Sequence, residues 1–297
     1  MKLTYKVSDF KYSFGYNDGK PNWCPGCGNY GIITAIRRAM VELELDPENI
    51  VLIGGIGCSG KLPQWVVSYG FHALHGRTLP IASGIKLANH DLNVIAHAGD
   101  GDCYGIGIGH LIHASRRNLD ILCVVHNNQI YGLTTGQTSP TSLKGFKSKS
   151  TPEGVIELPI NPIALTLSSD ATFVARGYAG DKNHLTELVM EGVKHRGFAL
   201  LDVLQPCVTF NHLNTYDWFK ERVYKLEETG HDLTDKNAAF DKAFEWAKTN
   251  SEKIPIGIFY KEERPTYGDE IPHIVDKPLV KHDITNIDIE EVLTMMT

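Results

Sequence analysis

The sequence predicts an α/β fold: a parallel sheet covered by helices on both faces, with a C-terminal extension. Three observations carry this. Short apolar strands alternate with amphipathic helical stretches. The strands are apolar at consecutive positions, as in sheets covered on both sides. Gly-rich segments follow strand after strand, at the carboxyl ends where such folds bind ligands. Length and composition agree, since 297 residues can bury a sizeable core, and 42% apolar with 22% charged is ordinary for a globular protein.

In chain order, residues 29–45 read as a helix, with Ile32, Ile33, Ile36, Met40 and Leu43 apolar and Arg37, Arg38, Glu42 and Glu44 between them. Residues 51–53 are a strand running into Gly54-Gly55-Ile56-Gly57. A second strand at 94–98 ends in Gly99-Asp100-Gly101-Asp102, and 105–117 then looks helical. A third at 121–125 ends in Asn127-Asn128. Residues 133–159, rich in Thr, Ser, Lys, Gly and Pro, read as a long loop. A strand at 172–175, a helix at 184–195 and a strand at 199–204 follow. After Glu227 the alternation fades. Residues 237–248 form one helix, and the rest, carrying Pro255, Pro265, Pro272 and Pro278, reads as an extended tail. The chain thus divides into an α/β unit at 1–227 and a partner-packing helix and tail at 228–297.

A net charge of −6 argues against nucleic acid as a partner. No apolar run reaches the roughly 18–20 residues of a membrane helix, which excludes a membrane span. Met1–Phe14 lacks the apolar stretch of a signal peptide, so the expected location is cytoplasmic. There the six cysteines are not expected to form structural disulfides. Metal binding, catalysis or burial remain for them.

Gly99-Asp100-Gly101-Asp102 follows a strand and opens a helix. Its glycines let backbone N–H groups approach an anion, and the helix N-terminus adds partial positive charge. A carboxylate there makes sense when a divalent cation separates it from a phosphate, as Mg²⁺ does. Asn128, one strand–helix–strand unit further on, supplies a second oxygen ligand. Alone, Gly-Asp-Gly also describes a tight turn with an N-cap Asp; the Asn-Asn at the next strand end weighs against that.

Cys24-Pro25-Gly26-Cys27 stands directly before a helix, Cys58 after the first strand's Gly-rich end, and Cys207 after the last strand. All four lie where they can converge. One close pair with two distant singles suits an iron–sulfur cluster better than a zinc site, which shows two compact pairs as a rule. Zinc, a redox C-x-x-C and no metal stay open on spacing alone. Cys123, inside a strand, and Cys103, in the diphosphate turn, read as packing residues.

With both constellations in hand, the sequence resembles the β subunit of the 2-oxoacid:ferredoxin oxidoreductases. The resemblance rests on Trp23-Cys24-Pro25-Gly26-Cys27-Gly28-Asn29, Gly55-Ile56-Gly57-Cys58-Ser59-Gly60-Lys61, Leu74-His75-Gly76-Arg77, Gly99-Asp100-Gly101-Asp102, His126-Asn127-Asn128-Gln129-Ile130-Tyr131-Gly132-Leu133-Thr134 and Leu204-Gln205-Pro206-Cys207. These are collinear with the family's order and span residues 23–225; the last stretch matches loosely. The resemblance implies a thiamine diphosphate-binding fold with Mg²⁺ under the diphosphate. Asp100, Asn128 and the Ile130 carbonyl would ligate the metal. Ile56, Gly57, Cys58, Ser59, His75, Gly101, Asp102, Gly132 and Leu133 would line the cofactor. Cys24, Cys27, Cys58 and Cys207 would hold one [4Fe–4S] cluster.

The implied reaction is coenzyme A-dependent oxidative decarboxylation of a 2-oxoacid, pyruvate or 2-oxoglutarate, with electrons passed to ferredoxin. The carboxylate that thiamine needs opposite its pyrimidine ring has no candidate here. The resemblance therefore implies an α subunit that completes the site, in an (αβ)₂ or larger hetero-oligomer. By motif position Lys61 stands near the reacting centre, where its ammonium suits a substrate or coenzyme A anion, and His75 is expected to hydrogen-bond the cofactor. Both are the catalytic candidates. His72, His90, His97, His110, His113 and His126 read as packing or surface residues, and Lys144, Lys147 and Lys149 as solvated loop charge. Two competing functions are a non-oxidative thiamine diphosphate decarboxylase or carboligase and a non-catalytic iron–sulfur or zinc module.

Overall fold

In a computed structural model, residues 4–10, 20–249, 251–285 and 289–295 are described. The expectation for Met1–Phe14 falls partly outside this set. The elements in chain order are α1 (Asn29–Glu42), β1 (Ile50–Gly54), β2 (Tyr69–His72), α2 (Thr78–Ala88), β3 (Asn93–Gly99), α3 (Ile108–Arg116), β4 (Ile121–Asn127), β5 (Ile130–Tyr131) and β6 (Gln137–Thr138). Then come α4 (Pro162–Ser168), β7 (Phe173–Tyr178), α5 (Lys182–Lys194), β8 (Phe198–Leu204), α6 (Tyr216–Lys220), β9 (Val223–Lys225), α7 (Lys236–Lys248), β10 (Ile254–Lys261) and α8 (Ile289–Met295).

The main sheet is eight-stranded, in the order β2-β1-β3-β4-β8-β7-β10-β9. Every residue of β4 and β8 is buried, because helices cover both sides. Alternate residues feed two cores. Val51, Ile53, Cys123 and Val125 pack with α2, α3, α4 and α7 through Leu79, Ala82, Leu111, Leu167 and Ala243. Ile50, Leu52, Leu122 and Val124 pack with α1 and α5 through Ile32, Ile36, Met40, Leu185 and Leu188. Each such Val, Leu, Ile or Met side chain contributes about 1.5–3 kcal/mol by leaving water. The unbroken apolar runs in the sequence have this cause: neither face of the central strands meets solvent.

Two expectations need correction. Strands β2, β1, β3, β4, β8 and β7 are parallel, but β10 runs antiparallel to β7 and carries β9 with it. The sheet is mixed rather than wholly parallel. The stretch read as an extended tail after the last helix also contains β10, an almost fully buried strand. Pro255 and Gly257 disguised it. Pro255 sits at the strand's start, where a lost N–H donor is tolerated, and the register shifts between Ile258 and Tyr260. Beyond β10 the chain is tied down by Asn118, whose side chain donates to the Arg264 and Pro265 carbonyls at 3.2 and 2.9 Å.

β1, β3 and β4 all deliver their carboxyl ends to one edge. Their last residues, Gly54, Gly99 and Asn127, open the crevice where ligands bind in such sheets. Residues 139–161 are irregular, as the loop reading expects, although β5 and β6 form a small hairpin just before them.

Candidate functional site

A cavity of about 210 Å³ lies in that crevice, lined by Ile56, Gly57, Cys58, Ser59, His75, Gly99, Asp100, Gly101, Asp102, His126, Asn128 and residues 130–134. Every residue expected at the cofactor lines it, together with Asp100, Asn128 and Ile130. Two glycines show why the motif needs them. A Cβ on Gly101 would stand 2.2 Å from the Tyr131 ring, so any side chain would displace the tyrosine that roofs the turn. Gly57 has φ +122, and among the described residues nothing lies within 4 Å of where a Cβ would be. It combines a backbone shape reserved for glycine with open space for a ligand.

Asp100 is 2% exposed. Its Oδ2 accepts from Ser139 Oγ at 2.5 Å and from Thr141 Oγ1 at 2.6 Å. Burial pushes its carboxyl up to about 6, against the pull of those two hydroxyls. A buried acid held by two neutral hydroxyls has the chemistry of a metal ligand. Asn128 Oδ1 accepts from the Ile130 N–H at 3.1 Å, which folds that loop back on itself and fixes the side-chain oxygen.

Asp102 behaves differently from its expected role as a direct cofactor contact. Its carboxylate takes His75 Nδ1 and the Gly76 N–H at 2.6 Å each and the Thr78 hydroxyl at 3.2 Å. Its side chain serves the protein, and its backbone N–H is what remains for an anion.

The four site cysteines lie near enough to act on one another electrostatically. Burial pushes the Cys27 thiol up to about 12, with Cys207, Cys58 and Cys24 adding to the effect. Burial likewise raises Cys58, against the nearby Lys61 ammonium, and Cys207. Backbone N–H groups point at these sulfurs, from Asn29 to Cys27 and from Phe210, Thr209 and Asn211 to Cys207. The Gln205 amide also donates to Cys27 Sγ at 3.3 Å. Such N–H donors stabilise thiolates. Among the described residues, no three His, Cys, Asp or Glu side chains stand close enough to share one metal ion. Sulfurs around a single zinc would lie about 3.8 Å apart, from a Zn–S bond of about 2.3 Å in a tetrahedron. A four-iron cube is wider and holds its thiolates further apart.

A family model for the C-terminal, TPP-binding domain of thiamine pyrophosphate enzymes matches residues 55–203, and one for the C-terminal part of the pyruvate ferredoxin oxidoreductase β chain matches 207–276. The 2-oxoacid:ferredoxin oxidoreductase subunit beta of Saccharolobus solfataricus is 47% identical over 295 residues, covering 92% of this chain and 95% of that one. The chain belongs to the β subunits of the 2-oxoacid:ferredoxin oxidoreductases. The 2-oxoglutarate synthase subunit KorB of Methanocaldococcus jannaschii is 34% identical, over 86% of this chain and 93% of its own. A solved 2-oxoglutarate:ferredoxin oxidoreductase from Magnetococcus marinus, with 2-oxoglutarate, coenzyme A and succinyl-CoA bound, superposes with a TM-score of 0.87 at 36% identity, covering 99% of this chain and 96% of that one. As a β subunit of this family, the chain is part of an oxidoreductase with an α partner, and its residues 55–203 form a thiamine diphosphate-binding domain. The match over 207–276 takes in β9, α7 and β10, so the reversed strands belong to the family's own architecture.

Within this β subunit, sequence reasoning and structure part in three places. Lys61 is not among the residues lining the cavity; it stands on the cysteine side, with Nζ 3.5 Å from Asn22 Oδ1. His126, read as packing, lines the cavity, as does Tyr131. Ser139 and Thr141, which hold Asp100, gave no signal, because they come from the loop about forty positions away. Cys103 and Cys123 are buried in the core as expected.

Proposed function

We propose that this β subunit holds thiamine diphosphate through Mg²⁺ and one [4Fe–4S] cluster, and that with its α partner it converts a 2-oxoacid, coenzyme A and two oxidised ferredoxins to acyl-CoA, CO₂, two reduced ferredoxins and a proton. Cys58 carries the reading. It lines the cofactor cavity and also belongs to the thiol group with Cys207 and Cys24. One residue thus adjoins both the place where a substrate loses electrons and the place that would accept them.

The cofactor supplies the organic chemistry, an electron sink for decarboxylation; the chain supplies position and charge. Asp100, Asn128 and the Ile130 carbonyl would hold the metal, and the N–H groups of Gly101 and Asp102 would meet the diphosphate. Cys24, Cys27, Cys58 and Cys207 would ligate the cluster. Coordination to a positive metal centre would deprotonate these buried thiols outright.

The α partner is required for more than assembly. Among the described residues, no glutamate lines the cavity, so the carboxylate facing the pyrimidine ring comes from elsewhere. Ile56 and Leu133 line the cavity yet are 39% and 48% exposed, which suits a mouth closed by the α partner in an (αβ)₂ or larger assembly. Among the described residues, no helix is long and apolar enough to cross a membrane. None of the six cysteines forms a disulfide, which suits a reducing compartment and a cytoplasmic enzyme.

The test is anaerobic co-production with the α partner. The complex should reduce ferredoxin only with coenzyme A and a 2-oxoacid present, with pyruvate and 2-oxoglutarate compared directly. It should carry about four irons per β chain, lost in Cys24→Ala or Cys207→Ala. Stoichiometric zinc without iron, or CO₂ release that needs no electron acceptor, would sink the proposal.

A further inference from the structure

We infer that the buried Arg176–Asp202 pair is a positioning element that ties together the two arms of the metal and diphosphate site, a reading that rests on Asp100 and Asn128 being the metal-holding residues. Asp202 lies in β8 and is fully buried. It does not line the cavity and belongs to none of the motifs that marked the site in the sequence. Yet three donors converge on its carboxylate. Tyr104 Oη donates to Oδ1 at 2.9 Å, Asn127 Nδ2 to the same oxygen at 3.0 Å, and Arg176 Nε to Oδ2 at 3.2 Å.

Two of those donors sit on the arms. Tyr104 belongs to the helical turn that begins at Gly101, directly after Asp100. Asn127 ends β4, directly before Asn128. The arms meet again on the other side. The Thr141 hydroxyl stands 2.6 Å from Asp100 Oδ2 and 2.9 Å from Asn127 Oδ1. The contacts close a ring from Asp202 through Tyr104 and its turn to Asp100, then through Thr141 and Asn127 back to Asp202. A ring of short polar contacts in a dry core resists a change in the spacing of its members. Here the spacing in question is that between Asp100 and Asn128, which would hold one Mg²⁺, an ion that tolerates little distortion in its ligands.

Arg176 makes the arrangement possible. A lone carboxylate at this depth would be strongly disfavoured, and the guanidinium neutralises it. In register Arg176 stands directly across from Asp202. Its guanidinium lies 5.2 Å from the Trp246 ring of α7 and 5.5 Å from the Phe259 ring of β10. The C-terminal segment therefore reaches the cofactor site indirectly, by packing around the cation that holds Asp202.

The test uses the full chain assembled with its α partner, Mn²⁺ in place of Mg²⁺, and thiamine diphosphate. Mn²⁺ affinity is read by electron paramagnetic resonance, alongside thermal unfolding. Tyr104→Phe removes one hydroxyl and leaves the packing; it should weaken Mn²⁺ binding about three- to tenfold, the scale of one lost buried hydrogen bond. The paired variant Arg176→Met with Asp202→Leu removes both charges and both ties, and should weaken it further and broaden the Mn²⁺ signal. Leu200→Ala, on the same strand but outside the ring, should lower the melting temperature and leave Mn²⁺ affinity unchanged. If Tyr104→Phe binds Mn²⁺ like the wild type, the inference is overturned, whether or not the paired variant folds. A wild-type complex that binds neither Mn²⁺ nor thiamine diphosphate would overturn the metal site itself, and the inference with it.

Discussion

Asp102 grips His75 through Nδ1 at 2.6 Å while the same oxygen accepts the Gly76 N–H at 2.6 Å. The Asp102 side chain is 1% exposed and that of His75 40%. The buried carboxylate thus fixes the orientation of the imidazole ring, which also packs edge-on to Tyr131. His75 lines the cavity. Asp102 is thus a residue that acts through His75. Metal sites and active sites use this carboxylate–histidine pairing to fix ring orientation. Asp102→Asn presents an amide N–H or a weaker acceptor in its place. Thiamine diphosphate binding should weaken about three- to tenfold, the net scale of one hydrogen bond felt through His75. Calorimetry on the complex with its α partner measures this; unchanged affinity would show that the His75 orientation is immaterial.

Asp100→Ala removes the buried carboxylate assigned to the metal. The two hydroxyls of Ser139 and Thr141 would remain, but neutral oxygens do little to offset a diphosphate's charge. Affinity for thiamine diphosphate in the presence of Mg²⁺ should fall at least about tenfold, from a lost charged contact of roughly 1.5–3 kcal/mol. Binding that is equally tight with and without Mg²⁺ in the wild type would refute the assignment.

Lys61 lies on the cysteine side of Cys58, and its ammonium opposes the burial-driven rise of that thiol. A cation beside a cluster favours the added electron. Lys61→Ala should therefore shift the midpoint of the proposed cluster to more negative potential, measured by redox titration, and lower turnover of 2-oxoglutarate and pyruvate alike. A loss confined to 2-oxoglutarate, with the potential unmoved, would instead place Lys61 on a substrate's distal carboxylate.

His97 and His126 form a buried pair, 3.1 Å apart between Nδ1 and Nε2. Burial holds His97 down at about 3, against an ordinary value of 6.5, and lowers His126 as well. On unfolding each would take up a proton that the folded state refuses. Stability is therefore full above about pH 6.5 and is lost as pH falls toward about 3, by up to about 1.4 kcal/mol per pH unit for each histidine. Urea unfolding at pH 7 and pH 5 should show a smaller loss for His97→Gln than for the wild type, by about 2 kcal/mol. Equal losses would mean that His97 is not kept neutral by the fold.

The order of strands and helices that build the crevice is legible in the chain, because apolar runs and helical periodicities are local. So are the turns that face the ligand. Gly57 marks a backbone shape that disfavours a Cβ and Gly101 a close approach to Tyr131, and Asp100 and Asn128 sit at consecutive strand ends by chain spacing alone. What those residues do is set by contacts between segments far apart in the chain, where no periodicity or spacing leaves a trace. That Asp102 holds His75, and that Ser139 and Thr141 hold Asp100, emerges only on folding. Strand β10 was hidden for the related reason that its direction and burial come from pairing with β7, while its local residues, Pro255 and Gly257, speak against a strand. Asp202 shows the limit most clearly. Within an apolar strand it reads as an isolated acid, and only the folding of β4, β7 and β8 side by side, with the turn bearing Tyr104 packed over them, gives its carboxylate three partners.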